Sequence, residues 1–254
     1  MVKLLLSNSK IARNRAKLSG RVTNVLESRT LMSSHRRLAE QLTGGLTVLD
    51  VGCGTGTITR GIAEAVGPKG RVVGVDSNPV LIDRALQLYD DIPWLTFEVG
   101  DIYHLNYKDE FDIGTSARVL QWLPNSETAL YMMKSATKSG GQILVLDYNH
   151  EKIEWSPDPP SSMRHFYAAF LKWRSDAGMS NTIADELPKL FKKIGIKEII
   201  VTPQHEKVTR TDKDFQKKFV FGKMLWLVED CRWLKMGILQ KKNVLPLKKT
   251  INFG

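Results

Sequence analysis

The chain has 254 residues, 42% of them apolar and 25% charged, which suits one substantial core or one core with a small cap. Its net charge is +10, with much of the excess near the two ends, but no basic stretch is interleaved with aromatics as single-strand nucleic-acid binders require, so the charge reads as a solvated surface. The opening M-V-K-L-L-L is too short for a secretory signal, no stretch approaches the ~20 apolar residues of a membrane span, and Cys53 and Cys231 are the two cysteines, so a reducing, cytoplasmic setting is expected.

Residues 1–44 are basic and polar at first, then periodic. Val25, Leu31, Leu38 and Leu42 predict one or two amphipathic helices, with Ser33-Ser34 as a cap and Gly44-Gly45 as the stop. A rhythm of strand and helix follows. Residues 46–51 read as a first strand and Thr57–Val66 as its helix, stopped by Gly67-Pro68. Arg71–Asp76 is a second strand ending in an acid, and residues 78–90 are the next helix. Leu95–Val99 forms a third strand closing on Gly100-Asp101, and Phe111–Ala117 a fourth. Residues 126–138 read as a helix and 141–148 as a strongly apolar fifth strand after a Gly-Gly turn. Continuous apolar strands alternating with helices predict an α/β fold, Rossmann-like and doubly wound, with a mostly parallel sheet and helices on both faces.

After the fifth strand the pattern breaks. Residues 150–182 carry Trp155, Pro157, Pro159, Pro160, Phe166, Tyr167, Phe170 and Trp173, an aromatic-rich insert read as a helical cap. Residues 183–194 form a further amphipathic helix ended by Gly195, 197–201 begin another strand, and 212–235 read as a long helix. The basic last twenty residues carry no clear pattern. The whole chain, 1–254, is read as a single domain: N-terminal helices to 44, a ligand-binding core over 45–149, the cap over 150–182, and the rest of the fold over 183–254.

The chemistry centres on the run from Leu46 to Gly56, L-T-V-L-D-V-G-C-G-T-G. A strand, a turn with Gly52, Gly54 and Gly56, and a helix start make a place where backbone approaches a ligand, because a Cβ there would block the approach or forbid positive φ. A dinucleotide loop would need glycine at Thr57, and a phosphate-binding P-loop would need a lysine that is absent. Doubly wound sheets bind ligands at the carboxyl ends of their strands. Asp50 and Asp76 stand at two such ends, and a carboxylate at Asp76 can accept from both hydroxyls of a ribose.

Four segments in order, from residue 46 to about 124, resemble the class I S-adenosylmethionine (SAM)-dependent methyltransferases, nearest in flavour to the branch with the ubiquinone and menaquinone C-methyltransferases. The segments are the glycine run, the second-strand acid, Gly100-Asp101-Ile102, and F-D-I-G-T-S-A-R-V-L-Q-W-L-P at 111–124. The resemblance implies that Gly52, Cys53, Gly54 and Gly56 wrap the methionine part of SAM while Asp50 helps to hold its ammonium. It places the ribose at Asp76 and Ser77, the adenine at Asp101 and Ile102, and the backbone of Ala117 and Arg118 beside the methionine portion. Gln121 and Trp122 depart from the family pattern, which often has histidine there. The expected seventh strand has one candidate, 243–253, weakened by Pro246.

The implied reaction is an in-line displacement of methyl from sulfonium, which rests on positioning. If the acceptor must lose a proton, Tyr103, His104, Tyr148 and His150 are the base candidates near strand ends. None of the five histidines has metal-ligand spacing, so no metal is expected. Strand four lacks the Asn/Asp-Pro-Pro signature of amino-group methyltransferases and the Pro-Cys pair of cytosine enzymes. The expected acceptor is therefore a small, apolar or aromatic molecule beneath the aromatic insert. Two alternatives stay open: nucleic acid as acceptor, and a SAM-binding protein without catalysis.

Overall fold

The computed structural model describes residues 11–12, 26–209 and 211–212. Val25, Cys231, nearly all of the helix expected over 212–235 and the strand expected over 243–253 lie outside the described residues. Five strands, β1 (Thr47–Val51), β2 (Arg71–Asp76), β3 (Leu95–Val99), β4 (Phe111–Ala117) and β5 (Thr137–Leu146), form one sheet in the order β3-β2-β1-β4-β5. Among the described residues every pairing is parallel, with Val48 opposite Val72 on one side and Ile113 on the other. The central strands are covered on both faces, which explains their unbroken apolar character.

Helices α1 (Leu31–Ser34), α2 (Arg36–Ala39), α3 (Thr57–Val66) and α4 (Pro79–Leu88) contribute to one core with Leu38, Val48, Ile62, Val72, Ile82 and Phe97. Helices α5 (Ser126–Ala136) and α7 (Ile183–Lys193) build a second core with Leu49, Val51, Leu120, Leu130 and Met133. Alternate strand residues feed the two cores, as the two-residue period of a strand requires. The strand order turns outward on either side of β1, so the crevice at the carboxyl ends of β1 and β4 is the switch point where such sheets bind ligands.

Several expected boundaries shift. Ser33 and Ser34 do not cap; they lie within α1, whose cap is Thr30, its hydroxyl accepting from the Ser33 amide while Ser33 reaches back to the Thr30 amide. Asn78 is the cap of α4 rather than its first residue, accepting from the Val80 amide ahead of Pro79. Helix α5 stops at Ala136, and β5 begins four residues earlier than expected. Thr137 pairs with Phe111, the chain bulges out over the next residues, and Gln142 resumes pairing at Ile113. Among the described residues none pairs with 197–201, and Ile200 and Val201 lie exposed there.

The chain divides into two compact units, residues 1–152 with 177–203, and residues 153–176 with 204–254. The sheet and every strand-end residue discussed below belong to the first. In the second, α6 (Ser161–Ser175) carries a run of ring contacts: Tyr167 lies 6.1 Å from both Trp155 and Phe170, and Phe170 stacks on Trp173 at 6.1 Å. Among the described residues no helix is long and apolar enough to cross a membrane.

Candidate functional site

The loop after β1 is tied to β2 by its own backbone. The amides of Gly52 and Cys53 both donate to the Val75 carbonyl, at 2.7 and 3.1 Å. That fold-back needs φ of +78° at Gly52, +58° at Gly54 and +77° at Gly56, a region that costs other residues dearly. The three glycines differ in what surrounds them. A Cβ on Gly52 would lie 2.3 Å from a methyl of Val119, and one on Gly56 would lie 2.5 Å from the Phe97 ring. A Cβ on Gly54 would make ordinary contact, 3.5 Å from Leu26 Cδ1. Gly52 and Gly56 therefore serve close packing within the protein, and Gly54 is the open position of the loop.

Two buried carboxylates flank this loop. Asp50, 4% exposed, accepts from the Thr59 hydroxyl at 2.7 Å, one turn into α3. Burial raises its pKa to about 6, against the lowering effect of the Thr59 bond and with help from the charge of Asp76. Asp76 accepts from the Gly54 amide and the Asn78 amide, each at 2.9 Å. Burial raises its pKa as well, opposed by the backbone N–H groups of Asn78, Gly54 and Ser77. The Cys53 thiol is pushed up by burial and by both acids, so it stays protonated. Two desolvated acids in mutual repulsion favour a ligand that brings positive charge and hydroxyl donors. SAM brings both, through its ammonium, sulfonium and ribose, and the residues present fit it.

Asp101 has a local duty. It caps a short 3-10 turn, Ile102–His104, by accepting from the Tyr103 amide at 3.0 Å, and its other oxygen lies 3.4 Å from His104 Nδ1. Ile102 is buried, whereas the His104 side chain is 80% exposed. His104 is thus set apart from the buried strand-end groups.

Tyr148 and His150 are instead brought together with Arg118. Arg118 is a non-glycine residue at φ +63°, and its surroundings hold it there. Its amide donates to Leu146 at 2.7 Å, its guanidinium donates to the Ser34 carbonyl at 3.0 Å and to the Tyr148 hydroxyl, and its carbonyl accepts from Gln121 Nε2 at 3.1 Å. The other end of the Gln121 amide lies 2.6 Å from His150 Nε2. The rings of Tyr148 and His150 are 5.8 Å apart.

Sequence reasoning missed four contributors: Thr59, Ser34, Gln121 and His35. His35 is buried, with Nε2 3.0 Å from the Thr115 hydroxyl. That hydroxyl donates to the Leu144 carbonyl, so the ring must supply the proton at Nε2. Its Nδ1 has no hydrogen-bond partner among the described residues, and burial, with the Arg118 charge beside it, lowers the pKa to about 4. The sequence carried a signal for Gln121 alone, as a departure from the family pattern.

A model of the methyltransferase domain matches residues 42–209, more than half of the chain. An uncharacterized methyltransferase of Schizosaccharomyces pombe is 38% identical over 105 residues, 38% of this chain and 37% of that protein. A demethylmenaquinone methyltransferase of Lactobacillus johnsonii is 29% identical over 175 residues, 61% of this chain and 69% of that protein. The chain spans about a third of the length of the S. pombe relative, and 30% and 38% of two others at 33–34% identity. Among solved structures, a chain of the Haloferax volcanii complex between the Trm112 methyltransferase activator and a methyltransferase superposes with a TM-score of 0.53 at 21% identity, over 74% of this chain and 75% of that one, a likeness of fold.

Proposed function

This chain belongs to the methyltransferase-domain family of SAM-dependent enzymes, and on that premise we propose that it moves a methyl group from SAM to a small acceptor of apolar or aromatic character. The observation that carries the cofactor side is the pair of buried acids, Asp50 and Asp76, at the ends of adjacent parallel strands around a loop held at positive φ. Support for a small acceptor comes from the Lactobacillus johnsonii relative, which is named a demethylmenaquinone methyltransferase. The absence of the amino-group signature after β4 agrees with it.

In this reading Asp50 holds the ammonium, Asp76 and Ser77 the ribose, and Asp101 and Ile102 the adenine. Gly52, Cys53, Gly54 and Gly56, with the backbone of Ala117 and Arg118, line the methionine portion. When bound, SAM supplies an electrophilic methyl on a sulfonium. The chain's own part is to aim the acceptor, exclude water and take a proton where the acceptor must lose one. Tyr148 and His150 are the groups for that step, being grouped at the end of β5, whereas His104 stands exposed.

Calorimetric titration with SAM and separately with NAD tests the cofactor assignment, with Asp76→Ala expected to lower SAM affinity at least tenfold through loss of the ribose bonds. NAD binding, or SAM affinity unchanged in Asp76→Ala, refutes it. A screen of quinol-like and other aromatic compounds then tests the acceptor. Methylation of nucleic acid, with binding that weakens steeply as salt rises, would replace the small-molecule reading.

A further inference from the structure

We propose that Gln121 is a positioning residue for the acceptor side, locking His150 in the tautomer with its proton on Nε2 and its lone pair on Nδ1. The argument runs from a backbone carbonyl outward. The Arg118 carbonyl can only accept, so the Gln121 amide must present its NH2 there, at 3.1 Å. Its oxygen is thereby turned toward His150 Nε2, at 2.6 Å. An amide oxygen also only accepts, so Nε2 must be the donor, and a neutral imidazole then keeps its lone pair at Nδ1.

Each member is held independently. Gln121 is 3% exposed, and its backbone N–H donates to the Asp147 carboxylate at 3.2 Å. The Arg118 carbonyl is fixed by a left-handed backbone anchored to Leu146. The His150 amide donates to the Asn181 carbonyl at 2.7 Å. Turning the Gln121 amide over would oppose two carbonyl oxygens inside the protein and leave both without a proton between them. The side chain thus sets which ring nitrogen of His150 is basic, and it does so from the position where the sequence departs from the family pattern.

The inference rests on the reading that His150 serves the acceptor, and the test separates the two. Histidine 15N spectra of the full chain, with the His150 signals identified by their loss in His150→Gln, should report the Nε2–H tautomer in the wild type. Gln121→Leu and Gln121→Met, which keep most of the side chain's volume and remove the amide oxygen that faces Nε2, should both mix the two tautomers. A wild-type ring protonated at Nδ1, or a tautomer unmoved in Gln121→Leu, overturns the lock. With an acceptor in hand, Gln121→Leu should lower kcat about a hundredfold while the KM for SAM stays unchanged. A lost lock with an unchanged kcat would overturn the role of His150 in the proton step and with it the positioning role of Gln121.

Discussion

The three glycines of the β1 loop should separate on mutation, because their surroundings differ. Gly52→Ala carries two penalties. An alanine at φ +78° pays about 1–2 kcal/mol for the left-handed backbone. Its Cβ, 2.3 Å from Val119 Cγ2, adds an overpacking cost of about 1–3 kcal/mol. Gly54→Ala carries the backbone penalty, but its Cβ meets Leu26 Cδ1 at an ordinary 3.5 Å. Urea unfolding should therefore show roughly 2–5 kcal/mol lost in Gly52→Ala and about 1–2 kcal/mol in Gly54→Ala. SAM affinity inverts the comparison of cause. In Gly54→Ala, still folded, the added methyl should intrude on the ligand and weaken binding by at least about tenfold. Val119→Ala isolates the packing part, since the Gly52→Ala/Val119→Ala protein should be more stable than the sum of the single changes by about 1–3 kcal/mol. Strict additivity, or equal destabilisation at 52 and 54, would refute the division between glycines that pack and the glycine that faces a ligand.

Asp50 has a folded pKa of about 6, above the usual 3.8, so its contribution to stability is fully present below pH 3.8 and is lost as pH rises through 6. The loss amounts to roughly 3 kcal/mol, and Asp50→Asn should remove it, unfolding at higher urea than the wild type at pH 7.5 while binding SAM less tightly. His35 has the opposite dependence. Its folded pKa of about 4 lies below 6.5, so stability is present above pH 6.5 and falls by roughly 3 kcal/mol as pH drops through 4. In His35→Gln the acid-side loss should be smaller across that window in urea titrations, and an unchanged acid limb would contradict the buried neutral ring.

What the sequence disclosed tracks the range of the forces involved. Thr57–Val66, Arg71–Asp76, Leu95–Val99 and Phe111–Ala117 emerge with the expected bounds, because each is a local apolar pattern closed by glycine, proline or an acid. Residues 197–201 have the composition of a strand, with Ile199, Ile200 and Val201 in a row, but a strand is defined by its neighbour, and none of the described residues pairs there. The start of β5 was illegible for the same reason: Thr137 becomes strand by pairing with Phe111, across a bulge that a Gly-Gly turn had suggested was the strand's beginning. Asp50 and Asp76 were legible because topology places strand ends at the ligand crevice, and Asp101 because it follows one.

The grouping of Ser34, Arg118, Gln121, Tyr148 and His150 could not be read in advance. It depends on the left-handed turn at Arg118, a conformation that nothing in the residue type announces, since glycine or asparagine is the usual occupant. Once that turn exists, the Arg118 carbonyl is aimed at Gln121 and its guanidinium at Ser34 and Tyr148, so one backbone angle joins α1, the end of β4 and the end of β5. Arg118→Gly would keep that angle at no steric cost while deleting the guanidinium, whereas Arg118→Lys keeps a charge but loses the planar fork. If the backbone turn organises the acceptor side, Arg118→Gly should preserve the His150 tautomer while Tyr148 loses its donor. If the guanidinium organises it, Arg118→Gly should scramble both, and the two variants decide which of these holds the site together.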